Sequence, residues 1–269
     1  MALVATMPLS YWDGTMHKPV LDNGSISIVG SGVCIPDQNV ANELGFNNTQ
    51  LDAAILPPMV RRRTSQATRA AISAAVCACA NLQEGQTQPA IFVSAIGEMQ
   101  VTDKLCRSIA QQDYPLSPTL FHNSVHNTAA GYWSIATGST TSMQAMGALG
   151  DSFALGMLEA WCQLQTVSDR VLLVIYDESV PEELLPDYAW TTYACALLLD
   201  RHSPNRPRIS RPIQATNAAP STTSSSFSSQ NPAMATLPLF RALAQPKSGQ
   251  QQILLSTGTR PWQVKLIMP

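Results

Sequence analysis

Few residues in this 269-residue chain are of a type and spacing that could do chemistry. The four histidines are His17, His122, His126 and His202. His122 and His126 stand four apart, which puts two imidazoles on one helix face, as zinc ligands require. Asn123 follows His122, so the glutamate of an H-E-x-x-H site is missing. The pair is expected to serve packing or an interface, and no metal or other cofactor is expected. The six cysteines (Cys34, Cys77, Cys79, Cys106, Cys162 and Cys195) are scattered and mostly sit in apolar segments, which predicts reduced, packed thiols. Cys77 and Cys79 are two apart on a predicted helix, so their side chains diverge and form no metal clip. Gly30-Ser31-Gly32 is too short for a dinucleotide fingerprint, because Ile35 stands where the third glycine belongs. Gly150-Asp151-Ser152 offers a hydroxyl nucleophile, but such a serine needs a histidine held by an acid. The only downstream histidine is His202. A helix start explains the block better, with Asp151 or Ser152 capping free N–H groups.

The elements that position these residues can be read from apolar patterning. Ser25–Gly30 reads as a strand. Thr64–Leu82 is Ala-rich with spaced apolar positions and reads as a helix. Pro89–Ala95, Asp169–Ile175 and Tyr193–Leu199 are short apolar runs, hence buried strands. Gly97–Gln112 reads as helical, Thr119–Thr137 contains a helix, and Thr140–Met146 is a candidate strand. Ser152–Leu164 is a strongly apolar helix. Strands alternating with helices predict an α/β layered domain with both sheet faces covered. Residues 203–235 are rich in Pro, Ser, Thr and Asn and read as a flexible connector. They divide a domain at 1–202 from a C-terminal extension at 236–269. In that extension Leu237–Ala244 reads as a helix, and Ile253–Ser256 with Trp262–Ile267 as a hairpin.

Composition bounds the partners. Hydrophobic residues make up 45% and charged residues 13%, which predicts that some surface is buried against another protein. The net charge is −2, and Arg61-Arg62-Arg63 is the one basic cluster. That triplet reads as a solvated helix start and leaves no footprint for nucleic acid. No apolar run approaches the roughly 20 residues of a membrane-spanning helix. The first residues lack the basic flank and apolar core of a signal peptide, so the expected location is cytoplasmic.

One stretch carries a family resemblance. Ser117-Pro-Thr-Leu-Phe-His-Asn-Ser-Val-His-Asn127 is followed by Gly131, Ser134-Ile135 and Gly138. This spacing resembles the N-terminal half of the β-ketoacyl synthases, condensing enzymes with a thiolase-like fold. Ile26–Val33, Arg63–Leu82, Ile91–Gly97, Ser152–Ala160 and Arg170–Glu178 resemble further parts in the same order. The resemblance covers roughly residues 25 to 200. It implies the N-terminal half of a thiolase-like layered fold, with helices covering a mixed β-sheet and a short C-terminal extension.

The resemblance also implies a role, through its departures. Active members carry a nucleophilic Cys at the helix start that follows the candidate strand. Spacing carried over from Asn127 and Gly138 puts that position at Gly150, or at Leu149 if one residue is dropped. Neither attacks a thioester. The family's catalytic histidines belong to a C-terminal half, which this chain is too short to build. A truncated chain of this kind resembles the chain-length-factor-like proteins of bacterial aryl polyene pathways. Such a protein pairs as a heteromer with a full-length β-ketoacyl synthase, and acyl carrier protein visits transiently. Family dimers pair through the strand before the nucleophile, here Ser142, Met143, Gln144, Ala145 and Met146. Asn127, Gly131, Ser134 and Gly138 would flank that contact, and Leu120 and Phe121 would gate the partner's acyl tunnel. The alternative is a serine hydrolase or esterase using Gly150-Asp151-Ser152, a block that resembles one in a lipase group. It lies mid-chain here rather than after the first strand.

Overall fold

The computed structural model describes residues 24–46, 51, 53–83, 85–184, 190–214, 231–256 and 261–269. The chain opens with β1 (Ser25–Cys34), α1 (Gln38–Leu44), α2 (Pro58–Arg61), α3 (Gln66–Ala78) and β2 (Ala90–Val93). Next come α4 (Met99–Ala110), α5 (Pro118–Asn123), α6 (Thr128–Thr137) and β3 (Met143–Met146). After a 3₁₀ turn over Leu149–Asp151 follow α7 (Ser152–Thr166), β4 (Arg170–Asp177) and β5 (Tyr193–Asp200). The remaining elements are β6 (Arg208–Ser210), β7 (Ile213–Gln214), α8 (Leu237–Ala244), β8 (Gly249–Leu254) and β9 (Trp262–Met268).

All strands described join one mixed sheet in the order β3-β2-β4-β5-β1-β6-β9-β7, with β8 on the other side of β9. β3, β2 and β4 run parallel, and every other pairing is antiparallel. Alternation along β4 explains its apolar run from Val171 to Tyr176. Leu172, Val174 and Tyr176 enter a core beneath α3 and α6, while Val171, Leu173 and Ile175 enter a second core beneath α7 and α8. With helices on both faces, neither set meets water. This is the helix-covered mixed sheet of a thiolase-like N-terminal half.

Small residues fix the spacing of the first layer. A Cβ on Gly30 would lie 2.0 Å from the Ala78 carbonyl oxygen, and one on Gly32 would lie 2.2 Å from that of Ala74. The backbone of α3 therefore rests almost directly on β1. Its buried face, Ala67, Ala70, Ala71, Ala74, Ala75 and Ala78, is the surface such an approach demands. Ser65 starts α3 by accepting the Thr68 N–H at 2.9 Å. The Asp37 carboxylate caps α1 in the same way, and Gly45 ends α1 in a left-handed turn at φ 81°.

Three sequence expectations change. The helix expected within Thr119–Thr137 is two helices, α5 and α6, broken at residues 124–127. His122 and His126 therefore do not share a helix face. The Asn123 side chain turns away to donate to the Arg63 carbonyl and to accept from the Tyr132 hydroxyl, which fixes the break. The cysteines are not mostly packed. Cys34 and Cys195 are buried, but Cys77, Cys106 and Cys162 are exposed because they fall on the outward faces of their helices. Within the segment read as a connector, residues 208–210 and 213–214 are strands and 232–236 form a buried 3₁₀ turn. Residues 215–230 lie outside the described residues.

Gly32→Ala is expected to destabilise the chain by roughly 1–3 kcal/mol, the usual cost of overpacking. Urea denaturation of the two proteins measures it, and equal midpoints would show that α3 can shift to admit the methyl group.

Candidate functional site

β3 is the outer strand of the sheet. Its inner edge pairs with β2, Ala90 opposite Met143 through Val93 opposite Met146. The Ala90 N–H donates to the Ser142 carbonyl and the Ser94 N–H to that of Met146, both at 3.0 Å. Its outer edge has no partner among the described residues. Ser142 and Gln144 are exposed, and Met143, Ala145 and Met146 are half-buried. Beside it Asn127, Gly131, Ser134 and Gly138 recur at helical spacing along α6. All of them are exposed except Ser134, which is half-buried. No atom lies within 4 Å of a Cβ placed on Gly131, so a neighbour could approach that helix backbone closely. On α5, Leu120 is half-buried and Phe121 is 64% exposed.

Between β3 and α7 the chain makes a sharp elbow. Leu149 adopts φ 49°, a left-handed conformation uncommon for a residue with a side chain, and is 70% exposed. Gly150 follows it in the 3₁₀ turn. Of the two positions that the sequence offers for a family nucleophile, Leu149 holds the strained backbone and Gly150 stands beside it. Neither has a nucleophilic atom. Ser152 does not compensate. It is buried, its hydroxyl donates to the Leu149 carbonyl at 2.7 Å and accepts the Ala148 N–H at 2.9 Å. Its oxygen closes the elbow rather than facing a cleft. Among the described residues, no group of His, Cys, Asp and Glu side chains is arranged to hold a metal.

The elbow rests on a turn after β2. A Cβ on Gly147 would lie 2.3 Å from the Ser94 carbonyl oxygen, and the His126 ring nitrogen Nε2 lies 3.0 Å from that same oxygen. The His126 ring also covers Gly97. The turn itself is gripped from β4. Asp177 Oδ1 accepts the Ser94 hydroxyl at 2.6 Å and the N–H groups of Ala95 and Ile96 at 2.9 and 3.3 Å. The Ser94 hydroxyl in turn accepts the Gly97 N–H at 2.7 Å. Next to it, Glu178 accepts the Gln100 N–H at 2.7 Å and Glu98 accepts the Thr68 hydroxyl at 2.5 Å. Sequence reasoning read a strand over Asp169–Ile175 and took Arg170–Glu178 only as part of the resemblance. It missed that three carboxyl groups are buried together.

Burial dominates their titration. It pushes Asp177 up to about 7 despite the hydrogen bonds that favour its charge, and Glu178 up to about 8. Glu98 is raised for the same reason. Asp177 Oδ2 and Glu98 Oε2 are buried and accept no hydrogen bond among the described residues, which adds to the cost of charge there.

This geometry can be set against known proteins. The sequence pattern described as "Beta-ketoacyl synthase, N-terminal domain" matches residues 37–264. The chain belongs to that family. No curated protein matches it. Among solved structures, it resembles a chain of the complex of ketosynthase ApeO with its chain length factor ApeC from Xenorhabdus doucetiae. The TM-score is 0.66 at 19% identity, over 89% of this chain and 98% of that one. It also resembles a chain of AntDE:AntF, a type II polyketide synthase acyl carrier protein with its ketosynthase, with TM-score 0.70 at 11% identity over 91% and 100%. The ishigamide ketosynthase/chain length factor gives 0.56 at 13% over 82% and 73%. At these identities the likeness is one of fold. Among the described residues, no helix of this family member is long and apolar enough to cross a membrane.

The raised carboxyls set a pH dependence with a definite sign. The folded state holds protons that the unfolded chain, with carboxyl pKa near 4, releases. Their stabilising contribution is full below about pH 4 and is lost as pH rises through about 7 for Asp177 and about 8 for Glu178. Over that window the melting temperature is expected to fall with rising pH. Glu178→Gln keeps an acceptor for Gln100 and removes the titration, so it should flatten the slope. A wild-type slope in that variant would clear Glu178 of the effect.

Proposed function

We propose that this chain is a non-catalytic chain-length-factor subunit. It pairs with a full-length β-ketoacyl synthase to form a heteromeric condensing enzyme, supplied by acyl carrier protein, that elongates aryl polyene or related polyketide or fatty-acid-type chains. The observation that carries this reading is the elbow. The family's nucleophile is expected at the helix start that follows β3, and the spacing carried over from Asn127 and Gly138 puts Gly150 or Leu149 there. An elbow without a thiol cannot take an acyl group from a thioester, so any acylation in the complex falls to the partner. The relatives support the pairing. Two solved structures of like fold are ketosynthase–chain length factor assemblies, and the third includes an acyl carrier protein.

In this reading β3 adds to a partner strand across the unpaired edge, satisfying N–H and C=O groups that otherwise face water. Ser142, Met143, Gln144, Ala145 and Met146 form the centre of the contact, and Asn127, Gly131, Ser134 and Gly138 flank it. Co-expression with a cognate synthase, followed by size-exclusion chromatography, tests the pairing. The interface should bury at least about 1,000 Å². Ala145→Asp should lose the complex while the isolated chain keeps its wild-type melting curve, because the carboxylate would be desolvated without a partner. Intact mass of the wild-type complex, treated with acyl carrier protein thioester, should place the adduct on the partner. An adduct on this chain, on Cys106 above all, would refute the non-catalytic role.

Leu120 and Phe121 are proposed to reach the partner's acyl tunnel. The exposure of Phe121 supports this more strongly than the half-burial of Leu120. Phe121→Ala should leave complex yield unchanged and lengthen the products, as read by mass spectrometry. Leu120→Ala should do the same, or lose roughly 2 kcal/mol or more of stability if its buried half is core. Unchanged product length in a well-folded Phe121→Ala complex would remove that residue from the gate.

A further inference from the structure

At the opposite end of the sheet from β3, a groove of about 740 Å³ opens between the last turns of α7 and the strands around β9. That volume suits a small organic molecule. Two of its lining side chains, Arg211 and Lys265, are cationic, and none of its described lining residues is a carboxylate.

The cationic wall is built in advance of any ligand. The Arg211 guanidinium stands over the Trp161 ring, 5.8 Å from its centroid. Trp161 is itself fixed, since its indole N–H donates to the Gly24 carbonyl at 3.0 Å. The Arg211 backbone N–H donates to the same carbonyl at 3.0 Å. The Trp161 ring then has little freedom to lose on binding. The facing wall is the β8–β9 ribbon. Its register sets Gln252 opposite Lys265 and Leu254 opposite Gln263, so Gln252, Lys265 and Gln263 share one face. The opposite face, Ile253, Val264 and Leu266, is buried in the core and holds the ribbon in place. Gln263 Oε1 is buried and accepts from no donor among the described residues, a cost that a ligand N–H or O–H would relieve.

We propose that this groove binds a phosphate monoester whose organic part carries hydroxyl or amide donors. Two cations without a counter-charge suit a near-dianion, and a guanidinium fork matches phosphate oxygens. The donor on the organic part answers Gln263 Oε1. This inference does not rest on the pairing proposed above.

Glycerol 3-phosphate is the probe, with inorganic phosphate and glycerol as its separate halves, titrated into the full chain by calorimetry. The ester should bind saturably and more tightly than phosphate, and glycerol alone should not bind. Lys265 is exposed, so Lys265→Met should fold normally and weaken ester binding at least about tenfold, or 1.4 kcal/mol. Arg211→Gln should do likewise, and Gln263→Leu should reduce the ester to the affinity of phosphate. Co-sedimentation with phosphatidylcholine vesicles carrying lysophosphatidic acid, whose glycerol keeps one free hydroxyl, distinguishes a lipid-borne phosphate from a soluble one. Sedimentation that needs both the acidic lipid and Lys265 supports the site and assigns it to lipid. Ester binding that Lys265→Met leaves unchanged, or no binding in either arm, would overturn the proposal.

Discussion

The Asp177 carboxyl group ties the ends of β2 and β4 together, and the elbow depends on that tie. One oxygen collects the Ser94 hydroxyl and two backbone N–H groups, which orders the turn from Ser94 to Gly97. The carbonyl of Ser94 then meets both His126 and Gly147. Gly147 leads directly into Leu149, so the strained backbone there is braced through two steps by a buried acid. A left-handed non-glycine residue costs on the order of 1–3 kcal/mol and persists only where its surroundings over-determine it. The close backbone approach at Gly147 and the two bonds of the Ser152 hydroxyl supply that determination. The arrangement is costly to disturb, because a buried polar network is stabilising only when its members stay satisfied.

The second constraint is the closeness of α3 to β1. Alanines on the helix were legible in the sequence, and so was the helix. Their reason was not, since it lies across the chain in Gly30 and Gly32. β4 and β5 were legible because strands buried on both faces are apolar throughout. The edge strand β3 was legible in place, within the candidate strand Thr140–Met146.

The site was harder to read for physical reasons. Asp177-Glu178-Ser179 after an apolar run has the composition of a solvated turn, and only three-dimensional packing reveals burial. The break between α5 and α6 carries no Pro or Gly to announce it. It is made by side chains bonding to backbone, with Ser124 donating to the Phe121 carbonyl and Thr128 to that of Val125. Such bonds are invisible to periodicity, which is why His122 and His126 read as one face. The cysteines misled for a related reason. An apolar segment predicts a buried helix, but not which of its positions point outward, and α4 buries only Val101 and Leu105.

The edge of β3 raises a question of sufficiency. Four residues offer few hydrogen bonds to a neighbour, each worth only about 0.5–1.5 kcal/mol net. That sets register but not a lasting association, whose entropic cost runs to several kcal/mol. Apolar area has to supply the remainder, at roughly 25 cal/mol per Å². The described surface has such area nearby in sequence and along the same elements: Ile135 on α6, Phe121 on α5 and Leu149 at the elbow are each more than 60% exposed. In an active family member the elbow must present a thiol. In the proposed subunit Gly150 or Leu149 stands there, and the exposed Leu149 side chain is free to contribute contact area to the association instead.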